Sequence, residues 1–157
     1  MLILSALALA LSTQGGSTCD VTLPNGAVPP ERVLQQAGLP AKPSPEQWPL
    51  FGTGTIWVSL WRDGTVTFRQ GGPGFVEPDG ALKMKFFWLL ATDGPLSVSG
   101  KRLDGKAPAL RSEIPTGFVG AGFQPSYLIF PTPGCWRITA QANGSELSFV
   151  TRVVNRL

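Results

Sequence analysis

The sequence predicts an all-β domain, a sandwich or barrel of about nine short strands, and three observations carry that prediction. From Thr55 onward, runs rich in Val, Ile, Thr, Phe and Trp alternate apolar with polar residues. Turn signals built on Gly, Pro, Asp and Asn interrupt those runs about every 8–12 residues, the spacing of sandwiches and barrels. No strand–helix alternation supports a parallel α/β sheet. A chain of 157 residues argues for one domain. Its expected divisions are a signal-peptide-like segment over 1–13, a first strand plus a proline-rich strap over 14–54, and the remainder of the sandwich over 55–157.

Leu2–Leu11 reads LILSALALAL. That is half of the ~20 apolar residues a bilayer span requires, and it matches the core of a secretory signal. Ala8-Leu9-Ala10 resembles a small-x-small cleavage site, although no Lys or Arg precedes Arg32 to form a basic n-region. Export is the expectation, with a buried N-terminal strand or helix as its rival. Pro30–Ala37, ended by Gly38, is the single helix candidate, with proline in the first turn and glycine past the end. At about two turns it needs tertiary support. Around it, Leu23–Gly54 holds seven prolines and reads as an irregular strap, a long loop that is either functional or packed over a face.

Beyond the strap, Ile56, Val58 and Leu60 alternate with Trp57, Ser59 and Trp61. Arg62-Asp63-Gly64 then signals a turn before Thr65–Phe68, so a hairpin is predicted here. Gln70–Gly74 breaks the pattern, and Leu82, Met84, Phe86, Trp88 and Leu90 share one face of the next strand. Leu96–Leu103, Ala109–Ile114 and the short Tyr127–Phe130 follow, with Gly117–Gln124 read as a glycine-rich loop. Cys135–Ala140 and Leu147–Val154 flank Asn143-Gly144, a strong hairpin signal.

The composition excludes much chemistry. There is no His, so no Ser–His–Asp triad, Cys–His dyad or His-ligated zinc can form. Two Cys cannot make a four-thiolate site. Four of the five Asp precede Gly (Asp63, Asp79, Asp93, Asp104), which is turn chemistry. The Glu residues are scattered, so a glycosidase pair is not indicated, and no Asp-x-Asp-x-Asp run suggests calcium. Gly71-Gly72-Pro73-Gly74 lacks the following Gly-Lys-Ser/Thr of a phosphate loop. The net charge of +3 is dispersed, where nucleic-acid binders concentrate it. The expectation is therefore a non-enzymatic protein without cofactor or metal, binding no nucleic acid, with no transmembrane span in its mature form.

The two cysteines follow from export. In an oxidising compartment Cys19 and Cys135 are expected to pair, tying the first strand to a late one. Free buried thiols are the rival. A lipid-bearing Cys19 is the weaker reading, because seven residues separate it from Leu11 and Gly16-Ser17-Thr18 is not a lipobox.

Gly122–Pro125, Phe130-Pro131-Thr132-Pro133-Gly134-Cys135-Trp136 and Leu147–Val154 resemble the closing strands of bacterial immunoglobulin-like domains. More narrowly, Cys19–Gly26, Gly71–Phe75, Leu82–Phe86 and Gly134–Trp136 resemble uncharacterised exported bacterial proteins with such a domain. The resemblance implies an immunoglobulin-like β-sandwich of seven to nine strands outside the cytoplasm, with its cysteines paired and no assigned catalytic residue. It also implies Trp136 packed near the disulfide.

The expected function is a binding or structural module of the bacterial cell envelope, acting as a monomer on an envelope protein or polysaccharide. Trp57 and Trp61 lie four apart on one strand, which would set both indoles on one face about 13 Å apart. Such a pair can stack sugars or anchor a protein. The expected surface is Trp57, Trp61, Thr65 and Thr67, unless the strap covers it through Trp48 and Phe51. The alternatives are a carbohydrate-binding module using the two tryptophans, or a protease-inhibitor-like protein using the loops 71–79 and 117–124. Asn143-Gly144-Ser145 also fits a glycosylation sequon, but its turn role explains it.

Overall fold

The structure is a computed structural model that describes residues 18–118 and 120–157. The signal-like segment 1–13 lies outside the described residues. One α-helix, α1 (Glu31–Gln36), precedes ten strands: β1 (Leu50–Thr53), β2 (Ile56–Ser59), β3 (Thr65–Arg69), β4 (Phe75–Val76), β5 (Leu82–Leu90), β6 (Ser97–Arg102), β7 (Arg111–Glu113), β8 (Gly122–Phe130), β9 (Gly134–Ala142) and β10 (Ser145–Arg156). They form two sheets. The first runs β1-β2-β5-β8-β7, with β4 also on β5; the second runs β3-β10-β9-β6. The all-β expectation holds.

The inward positions of both sheets make one core. Phe86 sits at its centre, with the rings of Trp61, Phe149, Phe130 and Trp88 between 5.1 and 6.4 Å away. The two indoles fully buried in this core keep their N–H groups satisfied: Trp88 donates to Ser126 Oγ at 2.9 Å and Trp136 to the Thr132 carbonyl at 3.0 Å. Asn143 (φ 46°) and Gly144 (φ 78°) both adopt positive φ, which lets a two-residue turn close the β9–β10 hairpin as expected.

The hairpin predicted across Arg62-Asp63-Gly64 does not form. The Asp63 carboxylate accepts the Thr65 N–H at 3.0 Å, so the turn chemistry is real, but it carries the chain from one sheet to the other. The Gly64 carbonyl accepts the Arg152 N–H and the Thr151 hydroxyl, seating β3 parallel to β10. Ile56, Val58 and Leu60 therefore meet Val66 and Phe68 across the core.

Three further expectations change. The loop over 117–124 is shorter than predicted, because β8 begins at Gly122. Pro125 fits inside it because β7 pairs only with Tyr127–Ile129, so the side of β8 beyond β7 needs no donor there. The strap ends in β1, which pairs with β2. The segment expected as a first strand near Cys19 forms none; Thr22 instead exchanges two bonds with Val150, its N–H donating at 2.8 Å and its hydroxyl accepting at 2.9 Å.

Cys19 and Cys135 are paired, with Cα atoms 5.6 Å apart. Trp136, Ile138 and Ala140 fill the core, so the alternation along β9 sends Cys135 to the opposite face. The bridge thus fastens the N-terminal segment to the outside of the second sheet, and Trp136 packs on the other side of the strand from it.

Candidate functional site

The outer face of the first sheet has a covered end and an open end. At the covered end, Val33 and Leu34 of α1 pack with Leu50, Trp57 and Leu89, and Trp48, Leu39 and Phe123 close over them. The helix is short, but two of its six residues are fully buried, which supplies the support it lacks alone. Trp57 is only 4% exposed beneath this layer.

The open end is a groove of about 530 Å³. Its walls are Pro49 of the strap, Leu60 and Trp61 where the chain leaves β2, Pro73 and Phe75 ahead of and in β4, and Met84, Phe87 and Tyr127 of β5 and β8. Phe75 is 56% exposed and Phe87 36%, high values for side chains this apolar. The Phe75 and Tyr127 rings meet edge to face with centroids 6.4 Å apart, while Phe87 lies 5.6 Å from Phe123 at the covered end. Gly74 lets the backbone pass close enough to shape this wall: a Cβ there would lie 2.5 Å from Phe68 Cδ1 and 3.0 Å from Met84 Cε.

Charge is placed unevenly around the groove. The Lys83 ammonium meets Glu113 at 2.7 Å and Glu77 at 3.4 Å, and lies 4.9 Å from the centre of the Tyr127 ring. The hydrogen bond to Glu113 raises its pKa above the ordinary lysine value, against opposing desolvation. Lys85, two residues on, rests 5.2 Å from the centre of the Phe87 ring and has no carboxylate partner among the described residues. Arg62 donates to the Glu46 backbone carbonyl at 2.7 Å, and the Glu46 carboxylate accepts from Ser44.

The surface expected from Trp57, Trp61, Thr65 and Thr67 is not assembled. Trp57 lies under α1 on the first sheet, while Trp61 has turned inward to Phe86 at 5.1 Å. Thr65 and Thr67 belong to β3 in the second sheet. The chain bends at Leu60, so the four-residue spacing no longer fixes a shared face. Only Trp61 reaches the groove. The loop 71–79 contributes Pro73 and Phe75, whereas Phe118 of the other loop lines a separate apolar hollow of about 410 Å³ with Leu96 and Ile114.

Sequence reasoning missed Lys85, Phe87 and Tyr127 as site residues and reached Phe75 only as part of the loop 71–79. A signal was present in β5: its outward positions run Lys83, Lys85, Phe87, Leu89, a change from charged to apolar that marks where cover begins. Among the described residues no cluster of acidic or Cys side chains could hold a metal ion, and no helix is long and apolar enough to cross a membrane. Comparison with protein families, curated proteins and solved structures returns no match.

Proposed function

We propose that this chain is a non-enzymatic, exported binding module of the cell envelope, built on an immunoglobulin-like sandwich, and that its binding site is the aromatic groove beside β5. The observation that carries the reading is the exposed pair Phe75 and Phe87, with half-buried Tyr127, around an apolar hollow, next to an end of the same sheet that α1 seals. Contiguous exposed aromatic surface of this kind marks binding sites on small domains. The strand order supports the immunoglobulin-like part: β2-β5-β8-β7 faces β6-β9-β10, as A-B-E-D faces C-F-G in such domains. The disulfide is compatible with an oxidising compartment and so supports export.

The carbohydrate alternative loses its original platform, because Trp57 is buried. The test is retention on envelope material of the producing cell. The unaltered chain should be retained, and Phe75→Ser/Phe87→Ser should lose at least tenfold. Thr65→Ala/Thr67→Ala, on the other sheet, should behave as the unaltered protein. Equal retention of all three chains would remove the groove from the function.

A further inference from the structure

The two strands that border β5 on the groove side do not meet. β2 pairs with Val58 opposite Trp88 as its last register, and β4 pairs with Phe75 opposite Lys83 as its first. Ser59, the last residue of β2, lies opposite Phe87, so Met84–Phe86 has β8 on one side and no strand on the other. The parity of the ladder says which groups face the gap. The Ala91 N–H donates to the Thr55 carbonyl, and the Glu77 N–H to the Ala81 carbonyl. Odd-numbered residues of β5 thus turn their backbone groups toward β2 and β4. Lys85 is the odd residue that neither strand reaches, and its N–H and C=O point into the gap without a backbone partner among the described residues.

Resting on the reading of the groove as a binding site, we propose that its ligand is a short extended peptide of apolar–acidic–apolar pattern, which adds beside β5 and completes the sheet between β2 and β4. Three unpaired positions span about 10 Å at ~3.3 Å per residue, room for about three peptide residues. The Lys85 N–H donates to a peptide carbonyl, and a peptide N–H donates to the Lys85 carbonyl. This is strand addition, in which main-chain bonds hold the peptide and alternate side chains are read by pockets. The residue opposite Lys85 shares its outward face, so a carboxylate there meets the ammonium that has no acidic partner. Its two neighbours point the other way, into the hollow walled by Leu60, Trp61 and Met84, which selects apolar side chains. Beside it, Lys83 is already held by Glu77 and Glu113; of the groove's other cations, Arg62 donates to a backbone carbonyl, and Lys85 is the one on β5 beside the gap.

The probe is a phage-displayed library of random linear decapeptides selected on the full chain. The strongest binder is then synthesised with and without a single backbone N-methyl group on its acidic residue. Expected are selected sequences with the apolar–acidic–apolar pattern, and at least tenfold weaker binding on N-methylation and on Lys85→Glu. The Lys85 amide should exchange fast in the free chain and at least tenfold more slowly with peptide bound. Binders indifferent to N-methylation, or a library that yields none, overturn the proposal. If envelope retention still falls in Phe75→Ser/Phe87→Ser, the groove stands as a site for another class of ligand, such as a polysaccharide. If retention is also unchanged, the groove reading fails with it.

Discussion

Replacing both cysteines, as Cys19→Ser/Cys135→Ser, removes a bridge that closes a loop of 116 residues. In the chain-entropy treatment the unfolded chain loses about 2.1 + 1.5R ln n cal/mol/K on cross-linking. With n of 116 this is about 16 cal/mol/K, or about 4.8 kcal/mol at 25 °C. The folded state gives little of this back. The bridge lies on the outer side of the second sheet, and the segment it fastens is also held by the two Thr22–Val150 bonds, the contact of Val21 with Gly64 and the bonds from Asn25 to the Leu50 and Gly52 carbonyls. The core, from Ile56 to Val153, contains neither sulfur. The double variant should therefore fold to the same sandwich and be less stable. Urea unfolding followed by Trp fluorescence reads the difference. With a slope of ~2 kcal/mol/M, the midpoint should fall by about 2.4 M, with an unchanged native spectrum. A fall below about 0.5 M would refute the argument, because the loop would then be closed by other means in the unfolded chain. A native spectrum that changes would refute the placement of the bridge outside the core.

The remaining predictions use the same unfolding assay. Trp57→Ala should cost about 3–5 kcal/mol, as for other buried aromatics, because the indole is sealed between the first sheet and α1; a cost below about 1 kcal/mol would mean that the layer is not closed. Phe75→Ser/Phe87→Ser, whose rings are exposed, should stay within about 1 kcal/mol of the unaltered chain, which keeps the binding tests readable. Asp104 gives a pH dependence. Burial raises its pKa, but the hydrogen bonds from Arg102 (2.8 Å) and from the Cys135 N–H (3.0 Å) outweigh that and hold it below its usual 3.8. A carboxyl lowered on folding stabilises the protein above its unfolded value and loses that contribution as the pH falls through the folded one. Asp104→Asn should cost about 1 kcal/mol at neutral pH, less than a fully buried charged hydrogen bond because the site is partly exposed, and progressively less as the pH falls below 3.8 and through the lowered pKa; a cost that does not fall with acidification would contradict the assignment.

The period-two pattern made the faces of most strands legible. Ile56, Val58, Leu60, Val66 and Phe68 all point inward, as the alternation requires. Alternation names a face and not a sheet, and that is why the Asp63-Gly64 turn was read as a hairpin. A hairpin and a crossover both bury the same residues. What decides between them is β10, which lies more than 80 residues away and offers its edge to β3. Local chemistry fared better where it needs no distant partner: the helix at 31–36, the Asn143-Gly144 turn and the Asp63 and Asp79 turns all form where the residues indicate. The start of β8 is hidden by the glycines of 117–124, which read as a loop, and Pro125 is tolerated inside the strand because the shortness of β7 leaves its position without a required donor.

The groove was illegible for a related reason, since a missing strand leaves no pattern in the residues beside it. One event accounts for its parts. When the chain departs from the first sheet after Ser59 to pair with β10, it stops short of Lys85, and β4, only two residues long, does not make up the distance. The same departure rotates Trp61 away from the face of Trp57, toward Phe86, and makes it a wall of the hollow. The tryptophan spacing that suggested a shared platform and the open edge of β5 are thus alternatives: had β2 continued straight through Trp61, both indoles would face outward and Leu60 and Trp61 would lie opposite Phe86 and Lys85, closing the gap. The groove exists because the segment of β2 and β3 is divided between two sheets, and the side chains that surround it come from the segments that this division brings to the vacant edge.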